Sequence, residues 1–320
     1  MRGKRVVFFS TPAKGHVNAV YPVLRALARA GVQVDWYGTE EYRELIVSCG
    51  AAWHSYRIDF SRYCLEELTA DFYRLYRGLL KLNRACYFDY ILEVEANPPD
   101  VILYDSMCSF AKNIAKKLGI PSVCLCTTLA YNLPTLVFSN LFWPSLTLSL
   151  RHAPELLRLT RKELCFRRRE GLPRFSPLDL FVNRGDRTIV FSPPEFQPFA
   201  RSFPPSFVFA GTTVGDRMET DASVESCDIY LSLGSIFAAR AGELETLLES
   251  PLFRGKKVIV SAGAAADELQ KRLGRERLSF VRHTNQLALL GKTGLFVNHG
   301  GLNSVYESLY FGVFQICIPQ

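Results

Sequence analysis

Residues 297–312 read VNHGGLNSVYESLYFG, in which a short apolar run is followed by a histidine, two glycines and a helix-forming segment. Gly300 and Gly301 allow the backbone to turn tightly, and the helix that follows would point its free N–H groups at an anion. His299 stands at the strand end, where such a ligand would arrive. Because the stretch has neither the Gly-Lys-Ser/Thr of a P-loop nor a GxGxxG fingerprint, it predicts a phosphate-binding corner of a third kind.

Strands and helices alternate on the N-terminal side of this corner. Residues 5–9 form a strand-like run that precedes a helical face ending at Gly31, and the alternation recurs through residues 101–127. After residue 226 it restarts, with strand-like runs at 229–233, 257–260, 278–281, 295–297 and 315–318. Repeated βα units predict parallel sheets, so the expected fold class is α/β with two Rossmann-like, doubly wound domains facing a cleft.

Segment 211–226, GTTVGDRMETDASVES, lacks apolar periodicity and is typical of an interdomain linker. We expect an N-terminal domain at 1–212, a linker at 213–226 and a C-terminal domain at 227–320. A length of 320 residues with 48% hydrophobic content is enough for two cores. The second domain is short for a doubly wound unit with helices on both faces.

Composition narrows the classes of protein. The formal charge of +7 comes from basic and acidic residues that are mixed along the chain, so nucleic-acid binding is not expected. The dense basic run at 158–169 predicts a solvated helix face, with a membrane-surface or anion patch as the alternative. Nine cysteines without a CxxC pair, and no signal-peptide core, favour a reduced, cytoplasmic protein. Residues 129–150 are uncharged, but polar residues and prolines interrupt them, which favours a pocket wall over a transmembrane segment.

His16 and Asp105 are candidates for acid–base chemistry. His16 follows a glycine at the first strand-to-helix turn, and Asp105 ends the strand-like run VILY. If these strands are neighbours, the carboxylate would lie behind the imidazole and stabilise the imidazolium that forms when His16 takes a proton from a hydroxyl. The alternative is that each residue caps a helix.

Other enzyme classes lack their signatures. No serine lies in a GxSxG elbow, and neither an HExxH motif nor a carboxylate cluster predicts a metal centre. The first turn, TPAKGH, has no glycine fingerprint, which disfavours a nicotinamide-dependent oxidoreductase. These absences argue against a hydrolase and a metalloenzyme.

Ordered motifs carry a resemblance over nearly the whole chain. They are GHVNAVYPVLRALARAGVQV at 15–34, PDVILYDSMCSFAKNIAKKLGIPSV at 99–123, DIYLSLGS at 228–235, HTNQLALL at 283–290 and NHGGLNSVYESLYFGV at 298–313. Together they resemble the nucleotide-sugar-dependent glycosyltransferases of the GT-B fold. The similarity is to the UDP-glycosyltransferase superfamily and its bacterial macrolide-glycosyltransferase branch.

The resemblance implies a role for each site residue. His16 would deprotonate an acceptor hydroxyl with Asp105 as its partner, and the sugar would transfer with inversion, without a metal or other cofactor. The implied donor contacts are His299, Asn303, Ser304 and the backbone after Gly301 on the diphosphate, Glu307 on the ribose, Gln286 on the base or ribose, and Ser235 near the phosphates.

The chain departs from the family's pattern in three places. Asn285 stands where the family has a proline before the glutamine, which we expect to loosen that loop, and Phe314 replaces a second proline. The sequence stops at Gln320, where the family continues with residues that contact the donor sugar, more of the sheet and a C-terminal helix. The resemblance therefore implies a second domain that is truncated at its C-terminus.

The expected activity is a hexosyltransferase that moves glucose from UDP-glucose to a hydroxyl of a lipophilic small molecule such as a macrolide or flavonoid. Residues 131–150 would form part of the acceptor wall. The alternative from another class is a non-catalytic nucleotide-binding or partner protein of the same fold.

Overall fold

The computed structural model describes residues 3–58, 60, 72–138, 147, 151–173, 184–217, 224–233 and 241–318. The chain divides into two compact units, Met1–Thr213 and Val214–Gln320. Each unit is built on its own parallel sheet. The predicted linker at 213–226 lies only partly within the described residues.

The first unit contains a seven-stranded sheet in the order β3-β2-β1-β4-β5-β6-β7. Its strands are β1 Arg5–Phe9, β2 Gln33–Gly38, β3 Ala52–Ser55, β4 Val101–Asp105, β5 Ser122–Cys126, β6 Arg187–Val190 and β7 Phe207–Phe209. Its described helices are α1 Lys14–Arg29, α2 Arg43–Ser48, α3 Phe72–Ala96, α4 Ser109–Leu118, α5 Leu133–Val137 and α6 Ala153–Glu170. The order outward from β1 is that of a doubly wound sheet.

The sequence of β1, RVVFF, explains why this strand lies at the centre of the sheet. Val7 and Phe9 pack into the core cluster on one face, and Val6 and Phe8 pack into the cluster on the other. A parallel strand covered by helices on both faces is apolar at every position rather than at alternate ones. The apolar face of α1 contributes to the second of these clusters, as the helical spacing predicts.

The second unit repeats this architecture with five parallel strands in the order β10-β9-β8-β11-β12. The strands are β8 Cys227–Ser232, β9 Val258–Ser261, β10 Leu278–Val281, β11 Thr293–Asn298 and β12 Phe314–Cys317. The described helices are α7 Ala241–Leu248, α8 Ala266–Leu273, α9 Gln286–Leu290 and α10 Leu302–Phe311. The predicted fold class, two Rossmann-like α/β domains, is confirmed.

Two expectations from the sequence concern the redox state of the cysteines and the possibility of a transmembrane segment. The cysteines within the described ranges are all free thiols, and most of them are buried. No helix in the part of the chain that the structure describes is long and apolar enough to cross a membrane. The uncharged stretch at 129–150 is described only in part, at 129–138 and 147.

Candidate active site

The structure brings His16 and Asp105 together at the carboxyl edge of the first sheet. β1 and β4 are neighbouring parallel strands, with Phe9 opposite Tyr104, so the segments that follow them lie side by side. His16 lies in the first turn of α1, and its Nδ1 is 2.7 Å from Asp105 Oδ2. The N-cap of α1 is Ala13, so His16 does not serve as a helix cap.

Protein donors fix the Asp105 carboxylate on both of its oxygens. Oδ1 accepts from Thr11 Oγ1 at 2.7 Å and from the Met107 backbone N–H at 2.9 Å. Oδ2 accepts from Thr127 Oγ1 at 3.2 Å, and the side chain is only 1% exposed. The bond to Met107 also shapes the turn that leads into α4. The N-cap of that helix is Cys108, so Asp105 does not serve as a helix cap.

Thr127 completes a triangle with the pair. Its Oγ1 lies 2.7 Å from His16 Nδ1 and donates to Asp105 Oδ2. Since that hydroxyl proton goes to the carboxylate, the oxygen accepts from the imidazole, which assigns the ring proton to Nδ1 and leaves a lone pair on Nε2. Thr11 and Thr127 were not among the predicted site residues. Their signal in the sequence is position alone, because Thr127 directly follows β5 and Thr11 comes two residues after the end of β1, at the same edge of the sheet.

Burial and pairing act in opposite directions on the pKa values of this pair. Burial lowers the pKa of His16, but the charge of Asp105 and its hydrogen bond outweigh that effect, so the pKa is raised. Burial raises the pKa of Asp105, but the charge and hydrogen bond of His16 outweigh it, so this pKa is lowered. A carboxylate that stays ionised behind an imidazole of raised proton affinity is the arrangement that a general base requires.

In the second unit, a tight turn connects β11 to α10. Gly300 adopts a left-handed backbone with φ of 80°, and its N–H donates to Asn298 Oδ1 at 2.7 Å. Asn298 is fully buried, so its side chain holds the turn in one conformation. The N-cap of α10 is Gly301, which provides no side-chain acceptor for the N–H groups of the first turn. Those amides are suited to an anion, as the sequence predicts.

The His299 ring packs directly on this turn. A Cβ added at Gly301 would lie 2.5 Å from His299 Nε2, so only glycine fits beneath the imidazole. Burial lowers the pKa of His299, and the nearby Ser232 backbone only partly offsets that shift. Within the described residues, no partner reaches His299 Nδ1 at hydrogen-bonding distance and angle. The imidazole is therefore neutral near pH 7 before an anion arrives.

Glu307 lies in a buried polar network rather than on an open surface. Arg217 Nη1 donates to Glu307 Oε1 at 2.9 Å, and Gln286 Nε2 donates to Oε2 at 2.6 Å. Gln286 in turn accepts from Tyr230 Oη at 3.2 Å and lies 3.3 Å from Ser304 Oγ. Each carboxylate oxygen retains a second lone-pair site. The contacts of Glu307 and Gln286 with a nucleoside stay predictions, and Arg217 was not among the predicted residues.

Asn285 corrects one expectation about this region. The substitution of the family's proline by Asn285 was expected to loosen the loop, but its Oδ1 accepts from the Ala288 N–H at 3.2 Å and caps α9. Its φ of −70° is also a value that proline adopts. The cap therefore holds Gln286, the first residue of α9, in place. The other departure, Phe314, begins β12 and is 82% exposed.

For the remaining predicted residues of the donor and acceptor sites, the structure gives fewer contacts or none. Asn303 and Ser304 lie half-buried in the first turn of α10, close to the predicted anion site. Ser235 lies outside the described residues, as does most of the predicted acceptor wall at 131–150. Among the described side chains, no three of His, Cys, Asp and Glu gather as metal ligands would. Metal independence stays a prediction.

The chain is similar in sequence and in fold to known glycosyltransferases. Residues 216–320 match the model of the family described as UDP-glucoronosyl and UDP-glucosyl transferase. The NDP-glycosyltransferase YjiC of Bacillus licheniformis is 28% identical over all of this chain and 81% of its own length. The oleandomycin glycosyltransferase of Streptomyces antibioticus is 24% identical, over 98% of this chain and 74% of its own. The crystal structure of the glycotransferase of kitacinnamycin aligns with a TM-score of 0.80 at 22% identity, covering 100% of this chain and 81% of that one.

The two parallel-sheet α/β units have the GT-B fold, which the kitacinnamycin glycotransferase shares. The C-terminal third of the chain, which includes His299, matches the UDP-glycosyltransferase family model, and the bacterial glycosyltransferases are similar to it along its whole length. The chain spans about three quarters to four fifths of the length of these relatives.

Proposed function

We propose that this protein transfers glucose from UDP-glucose to a hydroxyl of a lipophilic small molecule, with inversion and without a metal. The observation that carries the proposal is the hydrogen bond of 2.7 Å between His16 Nδ1 and Asp105 Oδ2, with Thr127 beside it. This arrangement leaves Nε2 as the proton acceptor, which is the group that the acceptor half of the reaction needs.

In the proposed reaction, His16 Nε2 removes the proton of the acceptor hydroxyl as its oxygen attacks the anomeric carbon of the donor. The imidazolium that forms is stabilised by the buried Asp105 carboxylate. The new C–O bond forms as the bond from the anomeric carbon to the diphosphate oxygen breaks, and that oxygen keeps the electron pair. Because the displacement is single, the anomeric configuration inverts.

The leaving nucleoside diphosphate gains negative charge in this step. The N–H groups at the start of α10 are suited to stabilise it, and His299 would donate a hydrogen bond or take up a proton from solvent as the anion approaches. Such preorganised donors supply part of the electrostatic work that a divalent cation would otherwise do. This argument supports the proposal of metal independence.

The proposed donor and acceptor are supported by the description of the matching family and by the name of one relative. The matching family is described by UDP-glucoronosyl and UDP-glucosyl transfer, which favours a UDP-sugar as donor and includes UDP-glucose. One relative is named for the glycosylation of oleandomycin, which favours a lipophilic acceptor. In the described part of the predicted wall, Leu133 and Phe138 are exposed at 65% and 74% and present apolar surface.

The test is the substitution His16→Ala, with His54→Ala as the matched control. His54 also pairs with an aspartate of the first sheet, Asp35 at 2.9 Å, but has no role in the proposed step. With UDP-glucose and a panel of macrolides and flavonoids, we expect His16→Ala to lower kcat by about 10²–10⁴-fold and to leave UDP affinity within twofold. The control should retain most of its activity.

Three results bear on the alternatives. Equal loss of transfer and UDP binding in His16→Ala would refute the assignment of the base. Product of the expected mass from the wild-type chain excludes the non-catalytic reading. The non-catalytic hypothesis would instead be supported by tight UDP binding without product from any acceptor or donor sugar. That result would have to hold both for this chain and for a C-terminally extended one.

A further inference from the structure

A groove in the first unit is separate from every residue assigned to the reaction. It lies between α3 and α6 and has a volume of about 710 Å³. Its aromatic residues are Phe88 on α3 and Phe166 on α6, and the Arg84 guanidinium stacks over the Phe166 ring at 5.0 Å. The other lining residues are Pro154, Leu157, Arg158, Arg161, Lys162, Cys165 and Arg169.

Four basic residues of the groove have no acidic partner among the described residues. Arg158, Arg161, Lys162 and Arg169 project from one side of α6, within about 100° at the α-helical spacing. None of the four makes an ion pair with any residue that the structure describes. The described residues that line the groove include no carboxylate. A solvated face held together by ion pairs would carry both signs of charge.

Glu163, the glutamate within the span of the basic strip, is turned away from it. Glu163 is buried and forms ion pairs with Arg84 at 2.9 Å and Arg167 at 3.1 Å. Its charge is therefore neutralised by these two arginines and not by the basic strip. The other glutamates of α6 stand at its two ends, and Glu170 accepts from Lys117 through its backbone and from Tyr87 through its side chain. Glu155, at the start of the helix, is exposed, but between Arg158 and Arg169 this helix has no exposed carboxylate.

Large apolar side chains flank the basic strip on both helices. On α6, Leu157 is 65% exposed and Leu164 is 44% exposed; on α3, Phe88 is 52% and Leu92 is 71% exposed. Leu157 and Leu164 are seven positions apart, and Phe88 and Leu92 are four apart, so each pair shares a helix face. Apolar groups beside unpaired cations are the composition of a surface that lies at a membrane interface.

We propose that this groove, with the apolar side chains that flank it, is a docking face for an anionic phospholipid bilayer. The 18 residues of α6 span about 27 Å, so its basic strip can contact several headgroups at once. The flanking leucines and phenylalanine would enter the headgroup region. Since no lining residue belongs to the proposed reaction, docking does not depend on the proposed function.

The first test is co-sedimentation of the full chain with vesicles. We expect binding to phosphatidylglycerol–phosphatidylcholine vesicles, little binding to phosphatidylcholine alone, and release as salt is raised. The variant R158Q/R161Q/K162Q/R169Q should weaken binding at least tenfold. The control R254Q/K256Q/K271Q/R275Q removes the same number of charges from the second unit and should stay within twofold of wild type.

The second test keeps the wild-type charges and asks where the protein touches the lipid. In Phe88→Trp, the new indole should shift its emission to shorter wavelength and be quenched by brominated lipid when anionic vesicles are added. Leu157→Ser with Leu164→Ser should weaken vesicle binding at unchanged charge.

Each contrary result overturns the proposal. Equal binding to neutral and anionic vesicles would show that charge does not drive the association. An equal loss of vesicle binding in the control variant and in the groove variant would show that the groove is not the contact site. Vesicle binding that leaves the new indole of Phe88→Trp unquenched moves the contact elsewhere. Binding to RNA or heparin without binding to vesicles identifies a general polyanion site instead.

Discussion

Arg217 Nη1 and Glu307 Oε1 form an ion pair of 2.9 Å whose two side chains are only 9% and 5% exposed. Arg217 follows the boundary between the two units, and Glu307 lies on α10, the helix that starts at the anion corner. The segment at the boundary is therefore tied to the helix proposed to hold the donor. Gln286 occupies the other carboxylate oxygen, so loss of Arg217 would leave the charge of Glu307 half-compensated.

We expect Arg217→Met to lower the free energy of unfolding by about 3–5 kcal/mol, because removing one partner leaves a buried, uncompensated charge. Arg43→Met is the control, since it breaks an exposed pair with Glu40 and should cost about 0–1 kcal/mol. Urea unfolding curves measure both values. A loss in Arg217→Met no larger than in the control would contradict the buried-pair interpretation.

The pH dependence of transfer should report the raised pKa of His16. Only the neutral imidazole accepts a proton, so kcat/KM should rise with pH and reach half its plateau above 6.5, the ordinary histidine value. Asp105→Asn removes the charge that raises this pKa, so the midpoint should move to lower pH while the plateau falls. Profiles between about pH 5 and 9 measure both effects. An unchanged midpoint in Asp105→Asn would refute the coupling.

The same pair makes a pH-dependent contribution to stability, and the sign can be worked out. The folded pKa of His16 is raised, so its contribution is fully present below its unfolded value near 6.5 and is lost as pH rises through the folded pKa. The folded pKa of Asp105 is lowered, so its contribution is lost only under strong acid. His16→Gln should therefore destabilise the protein more at about pH 5.5 than at about pH 8.5 in thermal melts. Equal losses at both values would argue against the ion pair.

Thr127→Val should lower kcat by about tenfold, because the substitution keeps the shape but removes the hydroxyl that bridges His16 and Asp105, and 1.4 kcal/mol corresponds to a factor of ten. The KM for the donor should not change. Thr128→Val is the matched control, since Thr128 is the exposed neighbour and bonds only locally. Similar rates in the two variants would show that the triangle does not orient the base.

Gly301→Ala should weaken UDP binding about tenfold, since the new Cβ would lie 2.5 Å from His299 Nε2 and force the ring from the turn. Gly291→Ala is the control, because its Cβ would meet Phe311 at 3.4 Å and face no part of the anion corner. Isothermal titration with UDP measures both affinities. Wild-type affinity in Gly301→Ala would mean that His299 does not contribute to the donor site.

The sequence was enough to predict the first half of the site. Asp105 ends a run of apolar residues and His16 begins a helix after another such run, and the carboxyl ends of parallel strands meet at one edge. Thr127 could not be chosen in advance, because its role depends on β5 pairing with β4 rather than with another strand.

The donor side was less predictable, because its contacts cross long stretches of chain. Arg217 lies in a segment without apolar periodicity, and only the fold brings it to Glu307, 90 positions away. The buried Asn298 that fixes Gly300 resembles an ordinary strand end in the sequence. The effect of Asn285 was predicted wrongly, because the amino-acid type alone does not show that its side chain will cap a helix.

The pairing of Phe9 with Tyr104 in β1 and β4 determines which insertions and deletions would separate Asp105 from His16. Side chains alternate between the faces of a strand, so one inserted residue in β4 would carry Asp105 to the opposite face of the sheet. His16 and Asp105 are 89 positions apart in the chain, and the register of β1 and β4 brings them together. The availability of His16 Nε2 as a proton acceptor therefore depends on that register. Changes in other loops leave that atom in place, provided that they preserve this register, residues 10–13 and the turn after β4.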